Sequence, residues 1–265
     1  MTSKHPTIQD RWVQGRHGRL FVRSWTPHGA RALAPLILLH DSLGSVELWR
    51  GFPAALCEAT GRAVVAYDRL GFGQSDPHPG ELPPDFVTAE ADGDFASVRE
   101  QLGIGRFALL GHSVGGGMAV HCAVRHGAAC VGLVTVAAQA FIEERTVQGI
   151  AAAKELFRDT KEFDRLAKYH GDKTRWVLDA WIDTWLQPAF ANWSLRAVLP
   201  QVACPTLVIH GAEDEYGSTA QAATIAEGIG PHARLAILAA TRHVPHREHP
   251  AQVVGLIRNF MADRA

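Results

Sequence analysis

Charge of one sign is what this chain most lacks: 26 Lys and Arg face 27 Asp and Glu, leaving a net charge of −1 with the 14 histidines neutral. A surface so balanced has no overall field to gather a polyanion, so nucleic acid is not expected as a partner. Long apolar runs are also missing. The opening MTSKHPTIQDRW has no uninterrupted signal-peptide core, and no stretch approaches the roughly 20 apolar residues that cross a bilayer. The expectation is a cytoplasmic protein with no membrane partner. Cysteine is scarce and scattered: Cys57, Cys122, Cys130 and Cys204 sit in apolar segments without CxxC spacing, which reads as buried thiols rather than a disulfide or metal framework. Internal repeats and low-complexity tracts are absent. The Pro-rich DPHPGELPP at 76–84 reads as a surface loop.

What is present is an ordinary globular composition, 47% apolar and 20% charged, in a 265-residue chain long enough for one large core. RLFVRSW alternates as an edge hairpin strand would. APLILLHD, RAVVAYD, RFALLGHS and CVGLVTVAA are short apolar runs of the kind that fill buried parallel strands. Helix-length segments separate them: LWRGFPAALCEATG, the stretch around AEADGDFASVREQLG, and GGGMAVHCAVRHG. This alternation predicts an α/β fold, a mostly parallel sheet with helices on both faces. The strand signal then lapses from about 138 to 203, where TVQGIAAAKELF and KTRWVLDAWIDTWL read as amphipathic helices. The predicted organisation is a core domain of 1–137 and 204–265 with a helical cap, 138–203, inserted between its two parts. That insertion holds Trp176, Trp181, Trp185 and Trp193, four of the seven tryptophans, either as packing or as a pocket lining. Alternation resumes with PTLVIHG, a helix from about Thr219, ARLAILAA and AQVVGLIRNFM.

The most specific pattern is Gly111-His112-Ser113-Val114-Gly115, between the apolar run FALL and a helix-like segment. A serine hydroxyl becomes a useful nucleophile only when exposed beside a base, and a sharp strand-to-helix turn provides the exposure. Glycines at 111 and 115 remove the Cβ atoms that would collide in such a turn. With this motif the chain resembles the α/β-hydrolase family, from about Leu20 to the last helix, and the resemblance implies an eight-stranded sheet with the helical cap inserted after the sixth strand. His40-Asp41-Ser42-Leu43-Gly44-Ser45 is similar to the family's HG-type loop, and Asp68-Arg69-Leu70-Gly71-Phe72-Gly73-Gln74-Ser75 to its DxxGxGxS turn. The resemblance implies that the acid follows PTLVIHG, making it Asp214 of Gly211-Ala212-Glu213-Asp214, flanked by Glu213 and Glu215. It implies that the base is His243 of Thr241-Arg242-His243-Val244-Pro245-His246, similar to the family's GHxPH segment.

On that resemblance Ser113, His243 and Asp214 are the expected catalytic residues, with the backbone N–H groups of Ser42 and Val114 as the oxyanion hole. His112, Trp181, Trp185 and Val244 are the expected substrate contacts. Two positions depart from the pattern: Asp41 and Arg242 stand where the family commonly has glycine. A carboxylate at 41 would oppose an oxyanion, so its side chain is expected to turn away; Arg242 either attracts an acidic substrate or is simply solvated. The run His243, His246, His249 has metal-like spacing, but Pro245 and Pro250 break regular structure there and no partner motif exists, so no metal or cofactor is expected.

The resulting expectation is a serine hydrolase that cleaves an ester, thioester or lactone bond of a small, largely apolar molecule. A serine nucleophile argues against the aspartate-dependent dehalogenases and epoxide hydrolases. Carbon-carbon bond hydrolases and cofactor-free perhydrolases remain alternatives, though they more often carry Asn or Phe where this chain has His112. A non-catalytic small-molecule receptor is the alternative of another class, and the complete set of Ser, His and Asp disfavours it.

Overall fold

A computed structural model describes residues 5–29 and 33–262 of the chain. The outermost residues of the expected core domain, 1–4 and 263–265, lie outside the described residues. Eight strands form one sheet: β1 (Thr7–Gln14), β2 (Arg19–Thr26), β3 (Leu36–Leu39), β4 (Val64–Tyr67), β5 (Phe107–His112), β6 (Cys130–Val136), β7 (Thr206–Gly211) and β8 (Ala233–Leu238). Their spatial order is β1-β2-β4-β3-β5-β6-β7-β8. β2 pairs antiparallel with both β1 and β4, and every pair from β4 onward to β8 is parallel.

The apolar runs are continuous because both faces of each central strand are covered. Ile37, Leu39, Val65, Tyr67, Phe107 and Leu109 face one core. Leu36, Leu38, Val64, Ala66, Ala108 and Leu110 face the other. The second core is closed by α1 (Phe52–Thr60), through Phe52 and Leu56, and by the C-terminal helix Pro250–Met261, through Val253 and Ile257. On the first face lie α2 (Phe86–Ala89), α3 (Asp94–Gln101), α4 (Val114–His126) and, after β7, the helix Thr219–Ile229. No helix among the described residues is long and apolar enough to cross a membrane.

Between β6 and β7 the chain leaves the sheet and forms α5 (Glu144–Leu156), α6 (Thr160–His170) and α7 (Thr174–Leu186). The remaining helices are α8 (Thr219–Ile229), α9 (Pro245–Glu248) and α10 (Pro250–Met261). Two local readings are corrected. β2 is not the edge: β1 lies outside it, with a polar, exposed face that gives no apolar run. The helix expected around AEADGDFASVREQLG is split by a 3-10 turn at Glu90–Asp92. Pro245 and Pro250 each open a helix, where a missing N–H costs nothing, and the non-helical residues before them, Val244 and His249, keep His243, His246 and His249 off a single helix, as expected.

Candidate active site

In an open sheet, ligand sites form beyond the carboxyl ends of the strands where the strand order reverses. Here the chain runs from β3 outward to β4 and then returns to β5 on the other side of β3, so the reversal lies between β3 and β5. Ser113 follows β5 and Ser42 follows β3. β6, β7 and β8 deliver Gln139, Asp214 and His243 to the same edge.

Ser113 sits at the turn between β5 and α4 with φ +55° and ψ −124°, a region that costs a side-chain-bearing residue of order 1–3 kcal/mol. Neighbours hold it there: its N–H donates to the Val136 carbonyl at 2.9 Å, and Gly116 N–H donates to its carbonyl at 2.9 Å. A Cβ on Gly111 would run into the backbone of Gly115, and one on Gly115 into the carbonyls of Leu39 and His40. The two glycines of the motif are thus required by close packing of the turn against β3.

His243 Nε2 lies 3.1 Å from Ser113 Oγ, and its Nδ1 lies 2.9 and 2.8 Å from the two Asp214 oxygens. An ionised carboxylate only accepts, so Nδ1 carries hydrogen, leaving Nε2 to accept from the serine hydroxyl. Asp214 is fully buried while Glu213 and Glu215 are exposed. Its Oδ1 also accepts the N–H groups of Tyr216 (2.8 Å) and Gly217 (3.1 Å). Burial favours its neutral form, but the His243 hydrogen bond and charge outweigh this and hold Asp214 below the ordinary carboxylate range. For His243, burial pulls downward, yet Asp214 beside it, aided by Asp41 and Glu215, raises its proton affinity above that of an ordinary histidine.

The loop after β3 is fixed by one peptide unit. The Asp41 carbonyl accepts from Arg69 Nη2 and His40 Nδ1, both at 2.8 Å, and from Gly44 N–H at 3.2 Å. That carbonyl shares a planar trans peptide with Ser42 N–H, so anchoring the oxygen aims the N–H the opposite way. Ser42 N–H has no acceptor among the described residues, and Val114 N–H, the first of α4, has none within its helix.

A cavity of about 150 Å³ opens over Ser113 and His243, walled by Ser42, Leu43, Gln139, Ile150, Trp181, Trp185 and Tyr216, with Asp41 at its side. Trp181 and Trp185 therefore meet the cavity. Trp176 and Trp193 do not: Trp176 stacks on His78 and donates to the Gly80 carbonyl, and Trp193 stacks on Phe190. His112 and Val244 line a neighbouring cavity of about 200 Å³ instead, together with Trp49 and His246. His112 is also 2% exposed and fully occupied by Asp41 and the His243 carbonyl, which corrects the expectation of a direct substrate contact. The Asp41 carboxylate is turned onto Leu43 N–H and His112, and the residue forms part of both cavity walls. Arg242 is exposed, reaches Glu215 and stands outside the cavity. His246 is wedged against Trp49 and Phe52 while His249 meets the Ala240 carbonyl.

Several site residues carry no local sequence signal. Gln139 lies 3.3 Å from Ser113 Oγ, and Tyr216 packs on the His243 ring at 4.8 Å. Arg145 of α5 donates to the Asp214 carbonyl, and His170 of α6 accepts from Gly73 N–H and donates to the Leu43 carbonyl. Only Gln139 had a usable cue, its place just beyond a strand end beside the strand that leads into Ser113.

Known proteins share this arrangement of strands. The chain is similar to the 2-hydroxymuconate semialdehyde hydrolase of Pseudomonas sp. (strain CF600), 28% identical over 259 aligned positions that cover 89% of each protein. Among solved structures it is similar to a proline iminopeptidase of Mycobacterium smegmatis, with a TM-score of 0.76 and 25% identity, covering 96% of this chain and 98% of that one. It also matches the enol-lactonase of Burkholderia xenovorans LB400, with a TM-score of 0.74 and 21% identity over 96% of this chain and all of that one. A family model described as the alpha/beta hydrolase fold matches residues 34–168, just over half of the sequence, and the chain belongs to that family.

Proposed function

We propose that the chain is a serine hydrolase that cleaves an ester, thioester or lactone bond of a small, largely apolar and uncharged substrate through an acyl-enzyme. One observation carries the reading: Ser113 Oγ, His243 Nε2 and Nδ1, and the Asp214 carboxylate form a continuous hydrogen-bonded chain, with its serine end at the floor of an aromatic-walled cavity. Ser113 Oγ attacks the carbonyl carbon while its proton passes to His243 Nε2, and Asp214 steadies the imidazolium. The oxygen that becomes negative is held by Ser42 and Val114 N–H, two donors with nothing else to bind; losing one such donor typically costs roughly 100- to 1,000-fold in rate. His243 returns the proton to the leaving oxygen or sulfur, then deprotonates the water that releases the acid. The helices α5 to α7 act as the cap, and Trp181 and Trp185 as the apolar wall that holds the substrate.

The similarity to a 2-hydroxymuconate semialdehyde hydrolase favours a second reading, carbon-carbon bond hydrolysis. A muconate is a carboxylate, and no Lys or Arg among the described residues lines this cavity to pair with one. That lining supports neutral substrates. The test is hydrolysis of a short-to-medium p-nitrophenyl ester series by wild type, Ser113→Ala and His243→Ala. Turnover lost in both variants supports the proposal. A wild type inactive on every ester but active on a dienoate points to carbon-carbon cleavage; inactivity on both points to a binder.

A further inference from the structure

An acidic residue beside the oxyanion-binding N–H of Ser42 is electrostatically misplaced, because its charge opposes the one formed in the transition state. Asp41 is nevertheless in the cavity wall, its side chain about a third exposed, with Oδ1 on Leu43 N–H and Oδ2 3.1 Å from His112 Nδ1. His112 ends β5, directly before Ser113, and is buried. Its other nitrogen, Nε2, lies 2.9 Å from the His243 carbonyl. A carbonyl only accepts, so Nε2 carries hydrogen. A neutral ring would then turn a bare Nδ1 toward a carboxylate oxygen, two acceptors in contact. The geometry is satisfied only with a hydrogen between them, so His112 and Asp41 hold one shared proton and no net charge.

We infer that His112 is the counter-ion of Asp41, a positioning residue that neutralises the carboxylate in the cavity wall and so lets an acidic side chain stand beside the oxyanion donors. The inference rests on the acyl-transfer reading of the site. It also accounts for the ring's three attachments: through Nδ1 it meets the residue before Ser42, through Nε2 the backbone of His243, and through the chain Ser113 itself. Of the rings around it, Trp49 carries no charge, burial holds His246 well below the ordinary histidine value, and His243, 5.2 Å away, becomes charged as it takes the Ser113 proton.

The test is a double-variant cycle on p-nitrophenyl acetate, with kcat and KM resolved for wild type, Asp41→Asn, His112→Gln and the pair combined. The glutamine amide keeps a donor for the His243 carbonyl but cannot hold the shared proton. The expected result is a fall in kcat of about 10- to 100-fold for His112→Gln with KM little changed, the scale of one partly screened charge a few ångström away. Adding Asp41→Asn should then restore about fivefold or more, because the uncompensated charge is gone. A double variant as slow as His112→Gln alone, with both folded, overturns the inference, since a purely structural pair has nothing to rescue. If His112→Gln does not fold, the ring-nitrogen NMR spectrum of the wild type decides: hydrogen on both His112 nitrogens supports the pair, and a bare Nδ1 near neutral pH overturns it. An inactive wild type would remove the acyl-transfer reading and with it this role, whereas the ring spectrum reads the shared proton regardless of turnover.

Discussion

Replacing Trp181 with alanine should lengthen the acyl chain that the site accepts. The cavity holds about 150 Å³, near five water-sized volumes at about 30 Å³ each, so a short chain of around five heavy atoms fills it. Trp181 is half-buried and its ring meets Tyr216 at 6.0 Å, edge to face, whereas Trp185 is 4% exposed and packed between Phe190 and Trp193. Truncating Trp181 therefore opens space mainly toward the substrate, while truncating Trp185 would add a core-cavity cost of about 3–5 kcal/mol. Each methylene that newly finds an apolar wall contributes up to about 0.8 kcal/mol, or roughly fourfold in kcat/KM. With p-nitrophenyl esters of increasing length, wild type should plateau after the short acyl groups and Trp181→Ala should keep rising by two or three methylenes. The acetate ester reports the serine and histidine themselves and should change little. An identical chain-length profile in the two proteins would refute the idea that this cavity holds the acyl chain.

Two further outcomes follow from titration. His243 must be neutral to act as base, and its proton affinity is raised, so kcat/KM should fall on the acid side with a midpoint above that of an ordinary histidine; Glu215→Gln removes one of the raising charges and should move that limb to lower pH. His170 is depressed to about 4, first by burial and then by the charges of Lys173 and Arg69, and its bare Nδ1 accepts from Gly73 N–H. Its contribution to stability is then present above the ordinary histidine value and lost as pH falls from about 6.5 toward 4, a loss of order 3 kcal/mol when complete, which urea melts across that range would show and His170→Gln should flatten.

The strand runs and the elbow were legible because each rests on a local rule. A strand buried on both faces must be apolar at every position, as Leu36–Leu39 and Val64–Tyr67 are, and a tight turn against a neighbouring strand must have glycine, as at 111 and 115. β1 escaped notice because Gln9, Asp10 and Arg11 sit at the solvent edge, where pairing comes from the backbone alone. Asp214 could be chosen over Glu213 and Glu215 only by resemblance, and its burial separates it from them physically. His112 and Val244 were misplaced for a related reason: adjacency to Ser113 or His243 in sequence says nothing of which side of the loop a side chain takes. Gln139, Tyr216, Arg145 and His170 come from four different segments, and nothing short of the assembled fold brings them to one place.

The helices between β6 and β7 are tied to the loops that carry the site. At their start Arg145 donates to the Asp214 carbonyl at 2.9 Å and Thr146 Oγ1 to that of Tyr216 at 2.7 Å. Further on, His170 bridges Gly73 N–H and the Leu43 carbonyl, Lys173 Nζ donates to the Gly73 carbonyl at 2.8 Å, and Trp176 to the Gly80 carbonyl at 2.7 Å. Lifting the helices as a unit would break all six of these bonds, and at about 1 kcal/mol net apiece the open form would be populated to roughly one part in 10⁴ or less before any apolar contact is counted. Such a motion would also release Leu43, next to the Ser42 N–H that the Asp41 peptide holds in place. Opening by the whole insertion therefore costs the very geometry that the serine needs, and a substrate gains more from entering by local movement at the cavity mouth, around half-buried Trp181 and Tyr216, than from displacing α6 and α7.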